Sequence, residues 1–238
     1  PHDWFGLQSL ARDSSPPPPS GHVSSSDRRA SSELRLNRWL LGFALSLAAT
    51  RLLAGEVVIN EIMYHPPDDR DELQYVELFN PGSQPVDLAG WSLSKGLKFT
   101  FEKPTVLPAG GYVVVCRNRA AFSSHYGTEI SVAGDATGRL KHGGERIELA
   151  DAQGLVVDVV KYDDREPWPI GSDGYSASLE RICPTAPSDT SDNWAPSKLP
   201  AVRRATGTPG RQNDSFLANL PPAIGRVEFA APAPGQPA

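Results

Sequence analysis

The stretch that most constrains what this chain can fold into is 72–93, ELQYVELFNPGSQPVDLAGWSL. Residues 73–80 alternate, with Val76 and Leu78 on one side and Tyr75, Glu77 and Phe79 on the other, which is the period of an extended strand. Asn80-Pro81-Gly82-Ser83 then reverses the chain, each residue being suited to a turn rather than a ladder. Residues 85–93 resume as a second strand through Val86, Leu88 and Trp91 to Leu93. Both faces of the first strand carry apolar groups, so both need cover, as in a packed sandwich. Glu77 sits between two aromatics on its face, and a sheltered carboxylate there needs partners. Backbone N–H groups of a neighbouring loop are the first reading, and a ligand or metal role is the second.

The rest of the chain repeats this grammar. With 23 prolines and 21 glycines, turns and short strands are favoured over helices. Residues 56–64 form a first strand in which Asn60 and Glu61 interrupt an apolar run. Residues 97–101 set Leu97, Phe99 and Phe101 against Lys98, Thr100 and Glu102, the alternation of a half-buried strand. Residues 112–116 are an apolar central strand. Asn118 is placed to cap a short helix over 119–126. A short strand is expected at 129–132, a loop at 134–138, and a hairpin joining 146–149 to 155–162 through Asp-Ala-Gln-Gly at 151–154. Residues 178–182 read as the closing strand. The expected fold is an all-β sandwich with one short helix, flanked by disordered tails.

The polar residues leave more than one role open. His65-Pro-Pro-Asp-Asp-Arg-Asp-Glu72 is dense in carboxylates, and calcium takes six to eight oxygens, often from such loops. Asp68, Asp69, Asp71 and Glu72 are the candidate ligands, with Asp163 or Asp164 in addition; the regular register of an EF-hand is missing, and a solvated loop is the competing reading. Trp168 either caps one end of the sandwich or offers a sugar-stacking or partner contact. Cys116 and Cys183 are either two buried thiols or one bridge. His65, His125 and His142 are scattered, and the nucleophile, metalloprotease and phosphate-loop signatures are lacking, so no catalytic residue is assigned.

An ordered series of segments resembles the lamin tail domain in its bacterial secreted form: VINEIMYHP (58–66), ELQYVELFNPGSQPVDLAGWSLS (72–94), FTF (99–101), LPAGGYVVV (107–115), GGERIELADAQGLVVDVVKY (143–162), Trp168-Pro169, SLER (178–181) and GTPGRQN (207–213). The resemblance runs from about residue 56 to 213. It implies an immunoglobulin-like sandwich without established catalytic residues, in which Glu61, Glu77, Asn80, Trp91, Phe99 and Trp168 are structural and the polar tail packs back on the sheets. Trp91 and Phe99 are then expected in the core. Bacterial domains of this type are often appended to larger exported proteins, including hydrolases, nucleases and spore-coat-type kinases. The nuclear role of animal lamin tails is not expected here.

Export is expected from the sequence itself. Residues 1–34 are rich in Ser, Pro and Arg and read as disordered, with upstream sequence that is never translated as the second reading. Arg35 and Arg38 precede an apolar run of about twelve residues at 39–50, too short for the ~20 that span a bilayer, and Leu52-Leu53-Ala54 offers a cleavage site. A buried core helix is the competing reading. The expected organisation is a signal peptide at 35–54, the sandwich at 55–216 and a linker into a further module at 217–238. Cleavage after Ala54 takes the net charge from −5 to −7, which disfavours nucleic acid. Expected partners are extracellular or cell-surface protein or glycan and other domains of a longer polypeptide. The expected location is secreted or cell-surface, with no membrane span after cleavage and no cofactor beyond possible calcium.

Overall fold

The computed structural model describes residues 57–102 and 104–222; the proposed leader at 35–54, the segment 1–34 and most of the 217–238 linker lie outside them. β1 (Val58–Met63) is buried along its whole length. It lies between β2 (Tyr75–Phe79) and β12 (Leu179–Arg181) in a six-stranded sheet. β7 (Tyr112–Cys116), β8 (Val132–Asp135) and β13 (Trp194–Pro196) complete that sheet in the order β13-β12-β1-β2-β7-β8. The second sheet has five strands, in the order β11 (Val156–Tyr162), β10 (Glu145–Ala150), β4 (Ser92–Ser94), β5 (Leu97–Thr100) and β9 (Thr137–Gly138). β3 (Val86–Asp87) and β6 (Val106–Leu107) form a separate two-stranded ribbon.

Pairing between the strands is antiparallel except between β7 and β8, and that parallel pair needs a crossover. α1 (Arg119–Tyr126) supplies it. As expected, the Asn118 side chain accepts the Ala121 N–H at 2.9 Å and starts the helix. The 151–154 hairpin also forms: Gly154 N–H donates to the Asp151 carbonyl and Asp151 N–H to Leu155, each at 2.9 Å.

Three local expectations need correction. The single strand at 85–93 is two, because the Asp87 carboxylate accepts the Ala89 N–H at 2.9 Å and Gly90 turns at φ 81°, which breaks the ladder between β3 and β4. The strand expected at 129–132 starts at Val132 and runs into the supposed loop, where Gly134 leaves room for the Phe99 ring; a Cβ there would lie 2.9 Å from it. Residues 178–182 do not close the fold, because β13 adds outside β12.

Ile59, Ile62, Val76, Leu78 and Val115 of the large sheet meet Leu93, Leu97, Ile147, Leu149 and Val160 of the smaller one in one core. This is the face-to-face packing of a sandwich. On the other side of the large sheet a second cluster, built on Tyr75, Val114 and Cys116, is covered by Phe122 of α1 and by Ala205. Trp91 and Phe99 are half-buried and pack against the main core rather than within it, which corrects the expectation for both. Trp91 immediately precedes β4, whereas Phe99 lies within β5 opposite Leu93. Trp168 also packs on the core, 6.3 Å from the Trp194 ring, while Cys116 and Cys183 are buried free thiols. One polar bridge crosses between the sheets: Arg181 Nη1 of β12 meets Asp158 Oδ2 of β11 at 2.7 Å, the side chains being 4% and 9% exposed, and the same carboxylate oxygen accepts the Ile59 N–H at 2.8 Å. Among the described residues no helix is long and apolar enough to cross a membrane.

Candidate functional site

Gln74 precedes β2 and is fully buried. Its Nε2 donates to the carbonyls of Tyr64 and Leu140, both at 2.8 Å, and its Oε1 accepts the Leu140 N–H at 2.9 Å. One amide therefore ties the end of β1 to the segment before β10. His65 follows Tyr64 and His142 lies two residues beyond Leu140, so the tie delivers both rings to one place. They stack with centroids 3.7 Å apart and planes 8° from parallel.

Three aspartates surround the pair. Asp173 Oδ1 lies 2.5 Å from His65 Nδ1, and Asp71 Oδ1 lies 2.8 Å from His142 Nε2. Asp69 Oδ1 lies 3.0 Å from His65 Nε2 and 3.8 Å from His142 Nδ1. The chain reaches this position through two consecutive left-handed residues, Asp68 at φ 61° and Asp69 at φ 53°, a conformation in which Asp is over-represented. The second oxygen of Asp71 takes Arg117 Nη1 at 2.8 Å. Hydrogen bonds from His142 and Arg117 outweigh partial burial and hold the Asp71 carboxyl below its ordinary range. The neighbouring Tyr64 hydroxyl is buried without a hydrogen-bond partner, and burial, then the charge of Asp173, pushes it above the usual tyrosine range.

The four carboxylates proposed for calcium are thus distributed among different partners. Asp69 and Asp71 go to the histidines, whereas Asp68 pairs with Arg203 at 3.0 Å and Glu72 with Arg70 at 2.9 Å. Sequence reasoning noticed His65 and His142 but left them apart. Gln74, the residue that joins them, fell inside the strand expected at 73–80 and was given no role there.

A second polar constellation lies on the outer face of the large sheet. Register places Glu61 opposite Glu180 on one side and Glu77 on the other, and all three are completely buried. Like charges directly opposite in a sheet are unfavourable, so this row needs donors. The returning segment 205–215 brings them: Thr208 N–H to Glu61 at 2.8 Å, Gly210 N–H to Glu77 at 2.5 Å and Ser215 N–H to Glu180 at 2.9 Å. Tyr75 and Ser178 hydroxyls also donate to Glu61, at 2.8 and 2.5 Å. Asn60, at the irregularity in the β1–β2 register, links Glu77 at 3.0 Å to Asn213 at 2.8 Å. At Gly207 a Cβ would collide with the Tyr75 hydroxyl and the Glu61 carboxylate, so the close approach of the tail requires glycine. Burial pushes Glu61 up to about 7, with Glu180 adding to the rise and Ser178, Thr208 and Tyr75 opposing it. Glu77 is raised well above its usual value by burial and then by Glu61.

The family model described as Lamin Tail Domain matches residues 53–164. Over that span the chain is a lamin tail domain. Its immunoglobulin-like architecture agrees with the two packed sheets, and the family is a non-catalytic one. No curated protein matches the chain. The matched span of the lamin tail domain ends just beyond β11, so β12, β13 and the 205–215 segment, with Glu180, Arg181 and Thr208, lie outside it. Asn80, inside the match, staples two turns of the domain: its Nδ2 donates to the carbonyls of Gln84, Leu107 and Pro108, and its Oδ1 accepts the Gly82 N–H at 3.0 Å.

Proposed function

We propose that the chain is an exported, non-catalytic lamin tail module that attaches to an extracellular or cell-surface protein or glycan through loops at one end of the sandwich. The observation that carries this reading is a group of exposed apolar side chains on two loops. Ile170 and Tyr175 are 57% and 66% exposed, and Leu199 and Val202 are 55% and 65% exposed. The loops are tied together by Thr206, whose hydroxyl donates to the carbonyls of Ser176 at 3.1 Å and Lys198 at 3.2 Å. Large apolar groups held in water on ordered loops mark contact surfaces. By contrast, the buried glutamates take their donors from the chain's own backbone, hydroxyls and the Asn60 amide, which makes them part of the scaffold. Export is supported by the basic-then-apolar run at 35–50 and the site after Ala54.

Expression of the full chain in a bacterial host tests both halves. The secreted product should begin at Gly55, and the labelled protein should sediment with cell envelopes, while Tyr175→Ser combined with Leu199→Ser should stay in the supernatant. Product found only inside the cell overturns export. Parent protein left in the supernatant, or a double variant that still sediments, overturns attachment through these loops.

A further inference from the structure

From the geometry around His65 and His142 we infer a binding site for one divalent transition ion of zinc type, with His65 Nε2, His142 Nδ1 and Asp69 Oδ1 as ligands. One ligand atom from each of these residues lies within 4.8 Å of the other two. Ligands of a tetrahedral zinc ion, each about 2.0–2.1 Å from the metal, lie about 3.3 Å apart. The Asp69 oxygen is 3.0 Å from one ring nitrogen and 3.8 Å from the other, so it already brackets that spacing. The Asp69 side chain is 77% exposed and free to adjust, and tilting the stacked rings aims both lone pairs at the ion.

The second argument comes from the nitrogens that do not face Asp69. His65 Nδ1 is held by Asp173 and His142 Nε2 by Asp71. Each histidine therefore has one nitrogen engaged by a carboxylate and the other within 3.8 Å of the Asp69 carboxylate oxygen. This is the arrangement by which outer carboxylates fix the tautomer and orientation of metal-binding histidines. Asp71 is itself locked by Arg117, which makes it an orienting group rather than a ligand. Two imidazoles with one carboxylate suit zinc and its neighbours better than calcium, which prefers oxygen alone. A bound ion would join the end of β1, the 67–69 turn and the loop before β10, and leave a fourth coordination position toward solvent.

The test is titration of the full untagged chain with Zn2+ by calorimetry and with Co2+ by visible absorption. One ion per chain is expected, with the intense d–d bands of a tetrahedral cobalt site. Asp69→Asn and His142→Ala should each weaken binding at least ~30-fold, and Asp173→Asn should weaken it about 10–100-fold. Asn adopts the left-handed conformation of residue 69 readily, so Asp69→Asn keeps the fold and remains decisive if His142→Ala does not fold. Absence of Zn2+ and Co2+ binding overturns the inference, as does binding that survives Asp69→Asn, or calcium binding without zinc binding.

Discussion

At the scale of single residues, the strongest demand in this domain is the bridge between Arg181 and Asp158. Both side chains are nearly inaccessible, and Arg181 also donates from Nη1 to Ile59 O at 3.3 Å and from Nη2 to Ala186 O at 2.6 Å. Removing one partner leaves the other as a buried uncompensated charge, a larger loss than the net value of the pair. Asp158→Ala is therefore expected to lower unfolding free energy by about 3–5 kcal/mol, read from urea denaturation. Arg181→Leu added to Asp158→Ala should recover part of the loss, because the stranded guanidinium is gone. A double variant no more stable than Asp158→Ala would show that the loss came from the Ile59 and Ser188 hydrogen bonds to Asp158 instead.

At the scale of elements, the returning segment 205–215 acts as a lid on the large sheet. It supplies donors to all three buried glutamates and places Ala205 over the Phe122 cluster. A chain stopped after Arg204 keeps every strand but loses those donors, and a buried polar group left unpaired costs about 1–3 kcal/mol. Its melting temperature is expected to fall by at least ~10 °C in differential scanning calorimetry. The fragment 53–164 loses more, since β12 sits inside the sheet between β1 and β13 and carries Arg181. It should give no cooperative transition, so the span matched by the family is smaller than the folding unit.

At the scale of the whole molecule, the glutamate row gives the stability curve a direction in pH. Glu61 is faced by Glu77, Glu180 and the hydroxyls of Tyr75 and Tyr126, and its bonds come from neutral donors. Its carboxyl rises from 4.5 to about 7 on folding, so between those values the native state holds a proton that the unfolded chain has released. This contribution is present in full below about pH 4.5 and is lost as pH rises through about 7. Between about pH 5 and pH 8 the unfolding free energy should therefore decline, by roughly 3 kcal/mol from Glu61 alone. Glu61→Gln, which imitates the protonated side chain, should flatten the decline; an unchanged slope would place the proton elsewhere in the row.

Much of the fold is legible in the sequence because its signals are local. The alternation in 73–80 and 97–101, the Asn118 cap and the 151–154 turn act within a few residues, and the strands, helix and hairpin they specify are present. The local signals also fail locally: at 85–93 a single Asx turn outweighed the apolar run, and at Gly134 a strand formed where glycine suggested a loop. The polar residues were visible but not their partners. Asn60 and Glu61 stood out in an apolar strand, yet only pairing register brings Glu180 and Glu77 to either side of Glu61. Only the returning tail brings Thr208 and Gly210 to cover them. The same holds for His65 and His142, which meet because one buried amide, Gln74, bonds two distant stretches of backbone. Periodicity is set by backbone geometry over a turn or a pleat and can be read along the chain. The partner of a buried polar group is set by which strands lie side by side, and that was decided by the tertiary structure alone.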